Sequence, residues 1–303
     1  MKNITFDFIK EAVGIARYLV EKELNVWEEK GVNNTTSYSI IEEGKSIGIS
    51  LKDFPPYVES VEEAAVFIAG QFSEDLAGRV GELINSAIKE GKLIPFLYNP
   101  SFNEGQQMSS WDIIPGHLCL GLRALLGNSE EAVSSVVIDD SMLAMAGVER
   151  DDIDVASIIS NIDVNITSPL EVAREYISDD VLNEMGLPEE MIAADSLMTI
   201  ISRRDLNGLY GAAAVLKPQV LRRVAERMKV ETFYLVPSSM DEMVTQPLDL
   251  DLDDLRESVS EVNGQFVLPG RVLSDEVYIY DTETDTIRLA GEEADESLVY
   301  KIS

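Results

Sequence analysis

Residues 202–247 constrain the fold more tightly than any other stretch of the chain. The Asn207-Gly208 dipeptide is a turn signal, and Pro218 stands where the first turn of a helix would begin. Val220, Leu221, Val224, Ala225 and Met228 then recur at helical spacing, leaving Arg222, Arg223, Arg227 and Lys229 off the apolar stripe. Thr232-Phe-Tyr-Leu-Val236 is a β-branched and aromatic run that reads as a strand. Pro237-Ser-Ser239 has turn chemistry, and Met243-Val-Thr245 reads as a second strand folding back on the first.

Apolar residues at Phe8, Ile9, Ala12, Val13, Ala16, Leu19 and Val20 predict an amphipathic helix within residues 4–24. Two strands, 37–41 and 46–51, flank a Gly44-containing hairpin turn. Residues 60–92 hold two helices, starting at Ser60 and Ser73. Residues 93–98 are extended, 111–122 apolar and mostly buried, and 134–138 a strand. Asp139 or Asp140 caps a short helix that Gly147 ends. Further helices are predicted over 153–160 and from Pro169 to Tyr176, with Gly186-Leu-Pro188 separating the latter from a strand at 197–201. An acidic helix over 255–262 precedes a strand pair, 277–280 with 286–289. Strands and helices alternate without a βαβ rhythm, so the fold class is α+β, with mixed, mostly antiparallel sheets packed against amphipathic helices. The length accommodates two halves, residues 1–127 and 128–303.

Charge narrows the partners. The chain carries a formal net charge of −31 over 303 residues, a field that repels phosphate backbones and anionic lipids alike. Direct nucleic-acid or membrane binding is therefore not expected, and a basic protein partner is. No apolar run reaches the roughly 18 residues of a membrane span, and the first ten residues lack a signal-peptide pattern, which gives a cytoplasmic expectation. Cys119 is the only cysteine, so neither an intrachain disulfide nor a thiolate metal cluster can form.

Particular residues carry a resemblance. Asn207-Gly-Leu-Tyr-Gly-Ala-Ala-Ala-Val-Leu216, the helix that follows and Phe233-Tyr-Leu-Val-Pro-Ser-Ser239 together resemble the C-terminal signature of an uncharacterised bacterial family, number 5688 among the domains of unknown function. Val137-Ile-Asp-Asp140 and Val272-Leu-Ser-Asp-Glu-Val-Tyr-Ile-Tyr280 resemble its central strand and final hairpin. The resemblance implies an intracellular protein, often encoded on mobile elements, and no assigned activity. Where family members tend to carry His-Glu after the Ser-Ser turn, this chain has Asp241-Glu242. Chemistry resting on that histidine would have no counterpart here.

The catalytic templates fail one by one. His117 is the only histidine, and on one strand it would share a face with Cys119, as a Cys/His pair or, more simply, as a packed histidine beside a buried thiol. One His and one Cys cannot make the common zinc sites, and no metal or cofactor is expected. Gly44-Lys45-Ser46 ends like a phosphate-binding loop, but Ser39 occupies the position of its opening glycine. Ser86 and Lys89 have the spacing of an acylating Ser/Lys pair inside an ordinary helix. The acidic runs 249–253 and 281–285 lack the glycine of a calcium loop, Asp254 and Thr286 standing in its place.

What remains is a polar turn between two strands. Ser238, Ser239, Asp241 and Glu242 put two hydroxyls and two carboxylates at a strand end, and Arg203 or Arg204 would position an anionic ligand beside them. This is the candidate ligand or partner site. The sequence supports a non-catalytic acidic interaction protein that binds a basic partner or mimics nucleic acid, ahead of a hydrolase-like enzyme using the Ser238–Glu242 groups. The basic helix 217–229 is read as a solvated face balanced by Asp253, Asp254 and Glu257.

Overall fold

The computed structural model describes residues 6–20, 24–30, 36–42, 45–50, 61–70, 76–102, 108–128, 133–176, 181, 198–291 and 298–302. The starts expected at Ser60 and Ser73, the Gly44 turn and the Gly186-Leu-Pro188 separator lie outside the described residues. In chain order come α1 (Phe6–Val20), β1 (Asn25–Lys30), β2 (Thr36–Glu42), β3 (Lys45–Ser50), α2 (Val61–Gly70), α3 (Leu76–Lys89) and β4 (Leu93–Tyr98). Next are β5 (Ser110–Ile114), β6 (Leu118–Asn128), β7 (Val133–Val137), α4 (Asp140–Ala146), α5 (Val155–Ser160), β8 (Val164–Thr167), α6 (Pro169–Tyr176) and β9 (Thr199–Arg203). The chain continues through α7 (Val220–Met228), β10 (Thr232–Pro237), β11 (Met243–Pro247), α8 (Leu252–Gln265), β12 (Tyr278–Asp281), β13 (Thr286–Leu289) and β14 (Val299–Lys301). The described strand pairs are antiparallel, and the fold is α+β.

The chain forms two compact units interleaved along the sequence, one of residues 1–94, 105–109 and 122–153, the other of 95–104, 110–121 and 154–303. In the first, α1 buries Ile9, Ala12, Val13, Ala16 and Leu19, the stripe that its sequence spacing dictates. The β2–β3 pair is antiparallel, with Ile40 opposite Ile47 and Glu42 opposite Lys45, so Lys45 and Ser46 open a strand. Ser86 sits on α3 and donates to Glu90 Oε1 at 2.8 Å. Asp139 caps α4 by accepting from the Met142 N–H at 2.8 Å. Gly147 ends the helix at φ 67°, a left-handed conformation that costs a glycine little.

The second unit is built on a seven-stranded sheet in the order β14-β13-β12-β10-β11-β9-β8. Its register explains its two faces. Phe233 pairs with Tyr280, Leu235 with Tyr278 and Thr245, and Met243 with Ile201, so these side chains share one face. The Phe233 and Tyr280 ring centroids stand 5.4 Å apart. Helix α7 covers this face, the Thr245 hydroxyl donating to Met228 Sδ at 3.2 Å. Alternate residues Tyr234 and Ile279 point to the opposite face and pack with Val259, Leu252 and Leu255 of α8.

Some elements depart from expectation. Pro218, expected in the first turn of a helix, lies in the turn between the buried 3-10 helix Gly211–Leu216 and α7, because Gln219 at φ 68° interrupts the backbone before Val220. Helix α8 runs from Leu252 to Gln265, starting earlier than expected because Asp251 caps it by accepting from the Asp253 and Asp254 N–H groups. His117 sits half-buried in the β5–β6 hairpin turn, its N–H donating to the Ile114 carbonyl at 2.9 Å, so it does not line up with Cys119 along a strand.

Candidate functional site

The turn joining β10 to β11 is held from within. The Ser238 and Ser239 N–H groups both donate to the Glu242 carbonyl at 3.3 Å. The Ser238 hydroxyl donates to Glu242 Oε1 at 2.8 Å, and Ser239 Oγ accepts from the Asp241 N–H at 3.0 Å. These are the local bonds that serine and acidic side chains make in tight turns.

Asp241 reaches out of the turn. Its Oδ1 accepts from the Tyr210 N–H at 2.7 Å, and the Arg271 guanidinium closes on the same carboxylate, Nε to Oδ2 at 3.1 Å and Nη2 to Oδ1. A fork of this kind on one carboxylate is the strong, directional form of an ion pair. The Arg271 guanidinium also lies 4.6 Å from the centre of the Tyr210 ring, a cation–π contact. Backbone bonds parallel these side-chain ones: Met240 N–H donates to the Arg271 carbonyl at 2.9 Å and Ala212 N–H to the Met240 carbonyl at 3.2 Å.

Two backbone features make this close approach possible. Tyr210 adopts φ 63°, ψ 23°, a left-handed conformation costing a residue with a Cβ roughly 1–2 kcal/mol; the Asp241 bond to its N–H helps hold it. Gly211 has no room for a side chain, since a Cβ there would lie 2.4 Å from the Asp241 carbonyl oxygen and 2.6 Å from the Arg203 nitrogen.

The two arginines expected beside the turn are engaged elsewhere. Arg203, its side chain only 5% exposed, forks onto Asp205 with Nε to Oδ1 at 2.7 Å and Nη2 to Oδ2 at 2.6 Å. Its Nη1 is buried without a hydrogen-bond partner. Arg204, mostly exposed, has Nη1 3.6 Å from Asp163 Oδ1. Of the six candidate residues, Ser238, Ser239, Asp241 and Glu242 therefore share one bonded turn, while Arg203 meets it only through its backbone at Gly211. The sequence missed Arg271 and Tyr210, which complete the cluster. Tyr210-Gly211 lies inside the recognisable peptide, but nothing near Arg271 marks it as the partner of an aspartate at a separation of 30 residues.

The other weighed groups have structural partners. Cys119 Sγ donates to Asp112 Oδ1 at 3.3 Å, and burial, reinforced by that carboxylate, pushes the thiol up to about 12, so it stays protonated and unreactive. The basic helix α7 is balanced by acids other than those expected: Arg222 Nη2 is 3.0 Å from Asp285 Oδ2 and Arg227 Nη2 is 2.8 Å from Glu171 Oε2. The Arg227 bond, then the Ser168 N–H, holds the Glu171 carboxyl below the usual carboxylate range. The Asp281–Asp285 run forms the β12–β13 turn, with Asp281 Oδ1 accepting from the Glu283 and Thr284 N–H groups. Among the described residues, no group of three or more His, Cys, Asp and Glu side chains is placed to hold a metal ion, and no helix is long and apolar enough to cross a membrane.

No curated protein and no solved structure matches the chain. A family model described as a family of unknown function, DUF5688, matches residues 117–282, more than half of the chain. That span contains Tyr210, Gly211, the Ser238–Glu242 turn and Arg271, and on this match the chain belongs to the DUF5688 family.

Proposed function

We propose that the chain is a non-catalytic acidic interaction protein of the bacterial cytoplasm, one that engages a basic protein partner, in the setting of a mobile element. The carrying observation is how the polar groups of the β10–β11 turn are used. Ser238 binds Glu242, Ser239 binds the Asp241 backbone, and Asp241 binds Tyr210 and Arg271. The Ser238–Glu242 bond has the reach of a nucleophile and its base, but Ser239 and Asp241 are taken up by the turn backbone, Tyr210 and Arg271, which favours a structural use of the turn. The hydrolase-like alternative rests on the Ser238–Glu242 bond alone, whereas the interaction reading is supported by the net charge of −31. Such a field speeds encounter with a cationic surface, including one that otherwise receives nucleic acid.

The test is affinity capture by the immobilised chain from cells that encode a family member, washed at rising salt. The reading expects a defined protein set, rich in Lys and Arg, released as salt rises. Retention that salt does not affect, or none, would overturn it.

A further inference from the structure

Helix α8 ends in an exposed apolar group. Phe266 is 78% exposed, Leu268 73% and Val262 39%. Single exposed apolar residues are ordinary; three within seven positions, two of them about three-quarters exposed, concentrate apolar surface at one helix end, as interaction surfaces do.

The patch is held in place. The Phe266 N–H donates to the Val262 carbonyl at 2.8 Å, and the Leu268 carbonyl accepts from the Arg271 N–H at 2.7 Å. Arg271 is in turn fixed by Asp241 through its side chain and by Met240 through its carbonyl. The signature turn thus clamps the segment that presents Phe266 and Leu268. A surface ordered beforehand loses less entropy on binding.

The surroundings select the occupant. Asp254, Glu257 and Glu261 follow one another at spacings of three and four, an exposed acidic row along α8 that ends at the residue before Val262. The one base of the helix, Arg256, is directed away from that row: it bonds the Ala290 carbonyl at 2.9 Å, lies 3.2 Å from Glu276 Oε2, and within the helix approaches only Asp253, at 3.9 Å. Two copies meeting here would oppose like charges, and a phosphate surface would be repelled.

We propose, resting on the interaction reading above, that Val262, Phe266 and Leu268 form the docking surface, and that the partner segment is basic and amphipathic. An aromatic or aliphatic anchor sits on Phe266 and Leu268, and Lys or Arg side chains reach Asp254, Glu257 and Glu261.

Fluorescence anisotropy with two labelled synthetic probes tests this: a helical peptide with Leu and Phe on one face and Lys on the other, and a polylysine of equal charge. On the wild-type chain the amphipathic probe should bind about tenfold tighter than polylysine, equivalent to about 1.4 kcal/mol. The F266S/L268S variant should lose that gap and keep its polylysine affinity. The L248S/L250S variant, altered at residues 42% and 41% exposed, should keep the gap. If F266S/L268S keeps the gap, the docking surface is wrong while the interaction reading stands. If neither probe binds the wild-type chain at low salt, both fail. Sedimentation showing self-association of the wild-type chain that F266S/L268S abolishes would assign the patch to a second copy and overturn the inference.

Discussion

The Asp241 carboxylate receives both Nε and Nη2 of Arg271, thirty residues further along the chain, and also the N–H of Tyr210, over whose ring the same guanidinium lies. Because both charged groups are partly buried, with side chains 22% and 30% exposed, removing either leaves the other short of partners. Asp241→Asn and Arg271→Gln should each lower stability by about 1–3 kcal/mol. The double variant should lose less than the sum of the two. Urea titration checks both points, and hydrogen exchange should quicken over residues 266–271 in each single variant. Additive losses would mean that the two residues act separately.

Gly211→Ala is expected to be strongly damaging although it adds a single carbon. The added carbon would lie 2.4 Å from the Asp241 carbonyl oxygen and 2.6 Å from the Arg203 nitrogen, backbone atoms that cannot swing aside. A loss of about 3 kcal/mol is expected, read as a fall in the urea midpoint. A change below about 0.5 kcal/mol, the range of ordinary surface substitutions, would contradict the close approach.

These two sites also show what the sequence exposes and what it hides. The α7 stripe, the β10–β11 pair and the Asp139 and Gly147 caps were legible because they rest on spacing and local bonding within a few residues. Tyr210 at φ 63° was not legible, since a left-handed tyrosine contradicts its own propensity and is held by Asp241 from 31 positions away. Arg271 was hidden for the same reason. The short edge strands β8 and β14 were missed because pairing to β9 and β13, not composition, makes them strands. Likewise, Asp285 and Glu171 balance α7 in place of the acids of α8, a choice that the sheet order makes and linear charge patterning cannot.

Cys119 should resist a thiol reagent such as dithionitrobenzoate at pH 8 in the native chain and react fully once the chain is unfolded. Its pKa is raised from the ordinary thiol value to about 12 in the fold, so the neutral thiol is favoured there. The sign follows: this contribution to stability is complete below the unfolded thiol pKa, about 8.5, and is lost as pH rises toward about 12. Cys119→Ser should therefore flatten the alkaline fall in stability, measured by urea midpoints across that window. Rapid native labelling would contradict the buried, carboxylate-bonded thiol.

Ser238→Ala and Glu242→Gln each disturb one bond inside a turn that retains its backbone bonds. Each should cost about 0.5–1.5 kcal/mol, with thermal melting as the readout, and neither should change the affinity for a basic probe. Loss of a measurable hydrolytic activity in both variants, with their folding intact, would return the turn to catalysis.

Salt-resolved affinity capture, comparing the wild-type chain with the Ser238→Ala/Glu242→Gln variant, tests the central claim most directly. The account predicts that both retain the same basic protein set at low salt and release it over the same range as salt rises. Retention by neither, retention indifferent to salt, or retention lost only in the turn variant would contradict it.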